Sequence, residues 1–250
     1  MKIIAIVQAR SSSRRFKNKV ILPILDRPMI LRLLDRLTKS KRLDDIIIAT
    51  STESSDDLLS NIVTNSGYNI YRGELQDVLA RYYHCSKAAK ADVIVRVTGD
   101  CPLIDPVIVD NVIKFHLDSK ADYTSNALDP TFPDGFDTEV INYSVLKELH
   151  QTMTKAVDRE HVTHGLYSTD NHYLISSYRS DFDYSHYRLT VDYKEDFELI
   201  NILFSHLQTS EYTFTYQQII NFLNSNPQYL LLNKQYSRNE GLQYSKNNEV

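Results

Sequence analysis

Residues 9–19 read Ala-Arg-Ser-Ser-Ser-Arg-Arg-Phe-Lys-Asn-Lys, which crowds five cations and three consecutive hydroxyls into one short stretch. Guanidinium groups grip phosphate oxygens through paired hydrogen bonds, ammonium groups act as point charges, and hydroxyl and backbone N–H groups fill the remaining acceptors. Ala9, Arg10, Ser11, Ser12, Ser13, Arg15 and Lys19 are therefore candidates to cradle a polyphosphate. A basic surface loop looks similar in isolation, but this one follows directly on an apolar, isoleucine-rich run at residues 2–8 that reads as a buried strand. With only six glycines in the chain, neither the P-loop pattern nor the Gly-x-Gly-x-x-Gly fingerprint occurs, which argues against a P-loop ATPase or an ordinary dinucleotide oxidoreductase.

Two acids stand at the ends of further apolar runs. In Arg96-Val97-Thr98-Gly99-Asp100-Cys101-Pro102-Leu103-Ile104-Asp105-Pro106, Gly99 permits a tight turn and Asp100 projects beyond the strand. An aspartate in such a place ordinarily caps the next helix. Asp105, directly before Pro106, is the better cap, and Asp100 is left free. Asp192 follows the run at 188–191 and precedes an amphipathic stretch, so capping and metal binding are both open to it. Two carboxylates delivered by two strand ends suit Mg²⁺, which takes a few hard oxygens and completes its octahedron with water and substrate phosphate.

The elements that must position these groups follow from periodicity. Strands are expected at residues 2–8, 46–50, 69–72 and 93–98, and helices at 28–39, 55–65, 78–90 and 106–119. That alternation implies an α/β, Rossmann-like sandwich with a mainly parallel sheet, whose ligand crevice lies beyond the carboxyl ends of the strands. From about residue 122, short strands at 123–125, 138–142, 173–178 and 186–191 between long polar stretches imply a small antiparallel annex. Helices are expected at 144–151, 158–169 and 195–207, and the end from residue 233 reads as polar and loosely held. One domain fits 250 residues better than two.

Hydrophobic residues make up 42% of the chain and charged residues 24%, a composition that folds unaided. A net charge of −4 gives no general attraction to nucleic acid or to an anionic membrane, yet between residues 2 and 42 twelve Lys or Arg face only two acids. Cys85 and Cys101 are too few for a disulfide framework and lack zinc spacing, and no run of about 18 apolar residues exists, so a cytoplasmic protein outside the membrane is expected.

Taken together, these features resemble the cytidylyltransferase superfamily that includes CMP-Kdo synthetase, and most closely its spore-coat-polysaccharide-F-like branch, over nearly the full length. The pattern A-R-x-x-S-x-R-L-P-x-K is met by Ala9, Arg10, Ser13, Arg15 and Lys19, with Phe16-Lys17 where Leu-Pro is usual. Arg96 to Asp105 reproduces R-x-T-G-D-C-P-L-I-D, and Leu189 to Asp196 reproduces L-T-V-D-x-x-E-D. Weaker matches are Arg72-Gly73 with Asp77 to Tyr82, Gly135 to Val140, Arg159 to Thr163, and Arg238 to Gly241. The resemblance implies a nucleotide-diphospho-sugar transferase fold of the GT-A-like kind. It also implies a catalytic set of Arg10, Arg15, Lys19 and Asp100, with Mg²⁺ on Asp100 and Asp192. Arg72, Arg81, Thr98 and Gly99 join the loop in binding the nucleotide, and a homodimer is implied, with residues 130–186 as the contact.

The implied reaction joins CTP, or another nucleoside triphosphate, to a sugar acid or sugar phosphate with release of pyrophosphate. The acceptor side is expected at Asp137 and Glu139, which share one face of a strand, and at Arg159, Glu160 and His161. His161 and His164 lie three apart, but no third ligand has spacing that suits zinc. Cys101 beside Asp100 reads as a packed thiol. Other classes remain open. A different base would leave the loop unchanged; a glycosyltransferase consuming a sugar nucleotide would usually carry Asp-x-Asp, which is absent; and a non-catalytic subunit would bind nucleotide without releasing pyrophosphate.

Overall fold

The computed structural model describes residues 1–166, 172–207 and 214–247. Nine strands are β1 (Ile3–Gln8), β2 (Pro23–Ile24), β3 (Arg27–Pro28), β4 (Asp45–Ser51), β5 (Asn69–Gly73), β6 (Val93–Thr98), β7 (Tyr123–Ser125), β8 (Glu139–Asn142) and β9 (Ile175–Ser177). Seven of them form one sheet in the order β5-β4-β1-β6-β8-β7-β9, while β2 and β3 pair antiparallel in a small separate sheet. β5, β4, β1 and β6 run parallel, β8 is antiparallel to both its neighbours, and β9 pairs parallel with β7.

The helices are α1 (Met29–Leu37), α2 (Asp57–Asn65), α3 (Val78–Ala88), α4 (Pro106–Ser119), α5 (Tyr143–Thr152), α6 (Ala156–Glu160), α7 (Lys194–Leu207), α8 (Tyr216–Ser225) and α9 (Glu240–Asn247). Period-two alternation on a sheet buried on both faces explains why β1 is apolar throughout. Ala5 and Val7 pack into a core with Leu33, Leu34, Val109, Val112, Leu199, Leu203, Ile219 and Leu223, and Ile4 and Ile6 pack into a second with Leu79, Tyr82, Leu146 and Leu149. Ile4 and Ile6 are fully buried, and each contributes roughly 1.5–3 kcal/mol of transfer free energy. Among the described residues no helix is long and apolar enough to cross a membrane.

Asp105 caps α4 as its position before Pro106 requires, accepting from the N–H of Val107 at 2.8 Å and of Ile108 at 3.2 Å. Its other oxygen accepts from Tyr216 N–H at 2.8 Å, so one carboxylate ties the starts of α4 and α8. Three of the four strands expected after residue 122 lie in the main sheet as β7, β8 and β9, and the separate antiparallel pair stands instead at residues 23–28.

Three local expectations need correction. Residues 186–191 form no ladder strand beyond a bridge between Asp134 and Arg188, because their N–H groups go to loops: Leu189 to Asp134 O at 2.7 Å and Val191 to Asp100 O at 2.8 Å. Their alternation survives, with Tyr187, Leu189 and Val191 buried in the core and Arg188, Thr190 and Asp192 turned to a cavity. The helix expected at 158–169 is the short α6 followed by a 3₁₀ turn at His164–Leu166, broken where Val162 takes φ 56°; residues 167–169 lie outside the described residues. The part of the stretch from residue 233 that lies among the described residues, 233–247, is anchored to the body of the protein rather than loose. Asn233 is buried and donates to Arg188 O at 3.0 Å and to Asp196 Oδ1 at 2.8 Å, and Tyr236 stacks on Tyr193 with ring centroids 3.7 Å apart.

Candidate active site

The loop after β1 is shaped by backbone bonds and one carboxylate. Ala9 N–H donates to Ala49 O at 3.2 Å, and Asn18, in the left-handed region at φ 61°, donates to Ser11 O at 2.8 Å. Buried Asp56 accepts from Ser11 N–H at 2.6 Å. Gly99 donates to Gln8 O at 2.7 Å, and a Cβ there would lie 2.8 Å from Ala9 Cβ, so only glycine lets the turn after β6 press against the loop. The result is a cavity of about 240 Å³ lined by Ala9, Arg10, Ser13, Arg15, Lys19, Thr98, Gly99, Asp100 and Asp192, together with Glu160, His161, Gly241 and Ser245.

Asp100 and Asp192 face each other across one ammonium. Lys19 Nζ lies 3.2 Å from Asp100 Oδ2 and 2.8 Å from Asp192 Oδ1, and donates to Val191 O at 2.6 Å. Arg15 reaches Asp192 Oδ1 at 2.6 Å, and Arg188 Nη2 reaches its Oδ2 at 3.2 Å. Burial by itself would push the Asp192 carboxyl up, but Lys19 and Arg15 outweigh it and hold it well below the usual carboxylate range. Burial likewise works against the Lys19 ammonium, while Asp100 and Asp192 raise its pKa above the ordinary value. A single cation thus touches both carboxylates, and hard oxygens at that spacing fit a divalent ion such as Mg²⁺ with phosphate and water as further ligands. Among the described residues no group of three or more His, Cys, Asp or Glu could hold a metal.

Behind this pair Asp196, 1% exposed, accepts from the N–H groups of Asp192 and Tyr193 at 2.9 Å each and from Arg188 Nε at 3.0 Å. Arg188 also donates to Asp134 at 3.3 Å and to Ser237 O at 2.8 Å, so its guanidinium is anchored on four sides.

A second cavity, of about 380 Å³, adjoins the first and shares Thr98, Asp100, Asp192 and Gly241 with it. It adds Asp134, Asp137, Glu139, Thr163 and Glu240. Glu139 pairs with Arg96 and accepts from Tyr123 OH at 2.7 Å and Thr163 Oγ1 at 2.5 Å. Arg238 pairs with Asp137 and donates to Phe132 O at 3.2 Å. Burial, then the Asp137 charge, push the Asp134 carboxyl up to about 7 against the pull of Arg238 and Arg188. Burial also raises Asp137, against Arg238. Burial and Asp100 push the Cys101 thiol well up, as a packed thiol requires.

Other expected residues lie apart from these cavities. Arg72 is held by Ser51 O at 2.8 Å, Glu53 O at 2.9 Å and Asp57 at 2.7 Å. Arg159 is held by Asp77 at 2.6 Å and Met153 O at 2.8 Å. Ser11 is buried behind the loop and Ser12 half-buried outside the lining. Arg81 is almost fully buried, and its Nε and Nη1 have no hydrogen-bond partner among the described residues. Groups missed by sequence reasoning are Arg188 and α9, where Glu240 accepts from Tyr193 OH at 3.0 Å and Ser245 Oγ meets His161 Nε2 at 3.0 Å. The available signals were Arg188 at the head of the Leu189–Asp196 motif and the Arg238–Gly241 match.

Known proteins share this arrangement of chain. The spore coat polysaccharide biosynthesis protein SpsF of Bacillus subtilis is 32% identical over 236 residues, covering 90% of this chain and 95% of that protein. The solved structure of a cytidylyltransferase from Leptospira borgpetersenii superposes with a TM-score of 0.88 at 31% identity, over 92% of this chain and 97% of that one. A CMP-2-keto-3-deoxy-manno-octonic acid synthetase complexed with CTP shares the fold at a TM-score of 0.61 and 15% identity, over 82% of this chain and 99% of that one. The sequence profile described as Cytidylyltransferase matches residues 4–236. With the profile matched over nearly the whole chain and the same motifs standing on one rim of the sheet, this protein is a nucleotidyltransferase that belongs to the cytidylyltransferase family.

Proposed function

We propose that the protein is a Mg²⁺- and CTP-dependent cytidylyltransferase that activates a sugar acid or sugar phosphate for surface polysaccharide or glycan synthesis. The observation that carries the reading is the convergence of Arg10, Arg15 and Lys19 with Asp100 and Asp192 on one cavity that opens into a second, polar one. The triphosphate belongs in the first cavity and the acceptor in the second. An acceptor oxygen attacks the α-phosphorus, the bond to the bridging oxygen breaks, and pyrophosphate departs while the acceptor's proton, if it has one, passes to solvent.

Arg10, Arg15 and Lys19 neutralise the leaving pyrophosphate, and Asp137, Glu139 and His161, which line the second cavity, orient the acceptor, whereas Glu160 lines only the first. Asp100 and Asp192 would hold Mg²⁺, which supplies Lewis-acid charge at the α-phosphate. The relatives support the substrate class, since one acts in spore coat polysaccharide biosynthesis and another binds CTP.

Incubation with CTP, Mg²⁺ and a panel of sugar acids and sugar phosphates should release pyrophosphate, and failure with every nucleotide would sink the proposal. Asp100→Asn and Asp192→Asn should each lower kcat at least about 100-fold with the fold intact, because a metal site supplies several kcal/mol of transition-state stabilisation. Full activity in either would remove that residue from the metal site.

A further inference from the structure

Lys19 fills the place between Asp100 and Asp192 that a bridging divalent ion needs. An ammonium has three donors, and all three are engaged, with Asp100, Asp192 and Val191 O. The Lys19 side chain is only 7% exposed, and Arg15 shares Asp192 Oδ1 with it at 2.6 Å. A divalent ion arriving alone would have to expel a buried ammonium from both of the carboxylates that it pairs with. A triphosphate changes this, because the cavity lined by Lys19 and Arg15 is the one in which phosphate oxygens would lie. Arg188 differs from both, since Asp196, Asp134 and Ser237 O anchor it away from exchange.

On the footing of the proposed function, we propose that Lys19 is an exchangeable placeholder for the metal. Nucleoside triphosphate draws Lys19 and Arg15 from the carboxylates onto phosphate oxygens, and Asp100 and Asp192 then open to the divalent ion. Metal therefore enters with the nucleotide and not before it. Arg188 remains as a fixed counter-charge that keeps Asp192 in place through the exchange.

The test is Mn²⁺ binding read by water-proton relaxation, which separates protein-held Mn²⁺ from Mn²⁺ on free nucleotide. Without nucleotide, Lys19→Met should bind Mn²⁺ at least tenfold more tightly than the unsubstituted protein, and adding Asp192→Asn should abolish the gain. In the unsubstituted protein CTP should raise Mn²⁺ affinity at least tenfold, a comparison that needs no variant to fold. The placeholder is overturned if folded Lys19→Met binds Mn²⁺ no more tightly, or if the unsubstituted protein binds it equally well with and without CTP. Pyrophosphate release judges the underlying function separately: turnover alongside a failed exchange removes only the placeholder, and absence of turnover removes the footing as well.

Discussion

Replacing Asp196 by alanine should unfold the protein more readily than almost any single change near the rim. Asp196 is 1% exposed and accepts from Asp192 N–H, Tyr193 N–H, Arg188 Nε and Nη2, and Asn233 Nδ2, all between 2.8 and 3.2 Å. Removing one partner of a buried ion pair costs about 3–5 kcal/mol, and losing the acceptor at a helix start about 0.5–2 kcal/mol. The two do not add in full. Arg188 keeps Asp134 at 3.3 Å and Asp192 at 3.2 Å, which places the ion-pair loss at the low end of its range. A net loss of about 4 kcal/mol follows, or a melting temperature lower by about 8–16 °C for a chain of this size. Urea denaturation followed by circular dichroism measures it directly, with Asp196→Asn expected to lose about half as much because it retains an acceptor oxygen. A loss below about 1 kcal/mol for the alanine variant would refute the view that this carboxylate organises the Arg188 to Tyr193 segment.

Gly135 adopts φ 110°, and a Cβ there would stand 2.5 Å from the Leu189 carbonyl carbon and 2.7 Å from Thr190 N, so Gly135→Ala should cost more than about 3 kcal/mol. An unchanged thermal transition would contradict the close approach. The raised Asp134 carboxyl, at about 7 against 3.8 ordinarily, favours the folded state fully below pH 3.8 and loses that contribution as pH rises through 7. The melting temperature of Asp134→Asn relative to the unsubstituted protein should therefore improve from pH 5 to pH 8, and a difference that stays flat would show that Asp134 titrates normally.

Much of the proposed nucleotide half was legible because local rules and global packing agree there. Isoleucine- and valine-rich runs marked β1, β4 and β6, and Pro106 after Asp105 fixed the start of α4 and released Asp100 from capping it. The proposed acceptor half was harder, since its geometry depends on partners far apart in the chain. Arg188 carries no local sign that it will bind Asp134, fifty-four residues earlier, as well as Ser237 O. Likewise the polar composition after residue 233 gave no hint that Asn233 is buried or that Arg238 pairs with Asp137. Arg72 and Arg159 had the right chemistry for a site, but nearer acceptors hold both elsewhere.

The reversed strand β8 has a consequence for how such a protein can diversify. Every other strand of the seven-stranded sheet brings its finish to the working rim, whereas β8 brings its beginning, so Glu139 arrives opposite Arg96 after a long approach through Asp134 and Asp137. That approach is separate from the parallel strands that carry the loop after β1 and the turn at Asp100, and its fixed points are Gly135 against Leu189 and Asp134 on Arg188. On the proposed function, a new acceptor would be met by changes between those points, and the parallel strands would keep their hold on the nucleotide.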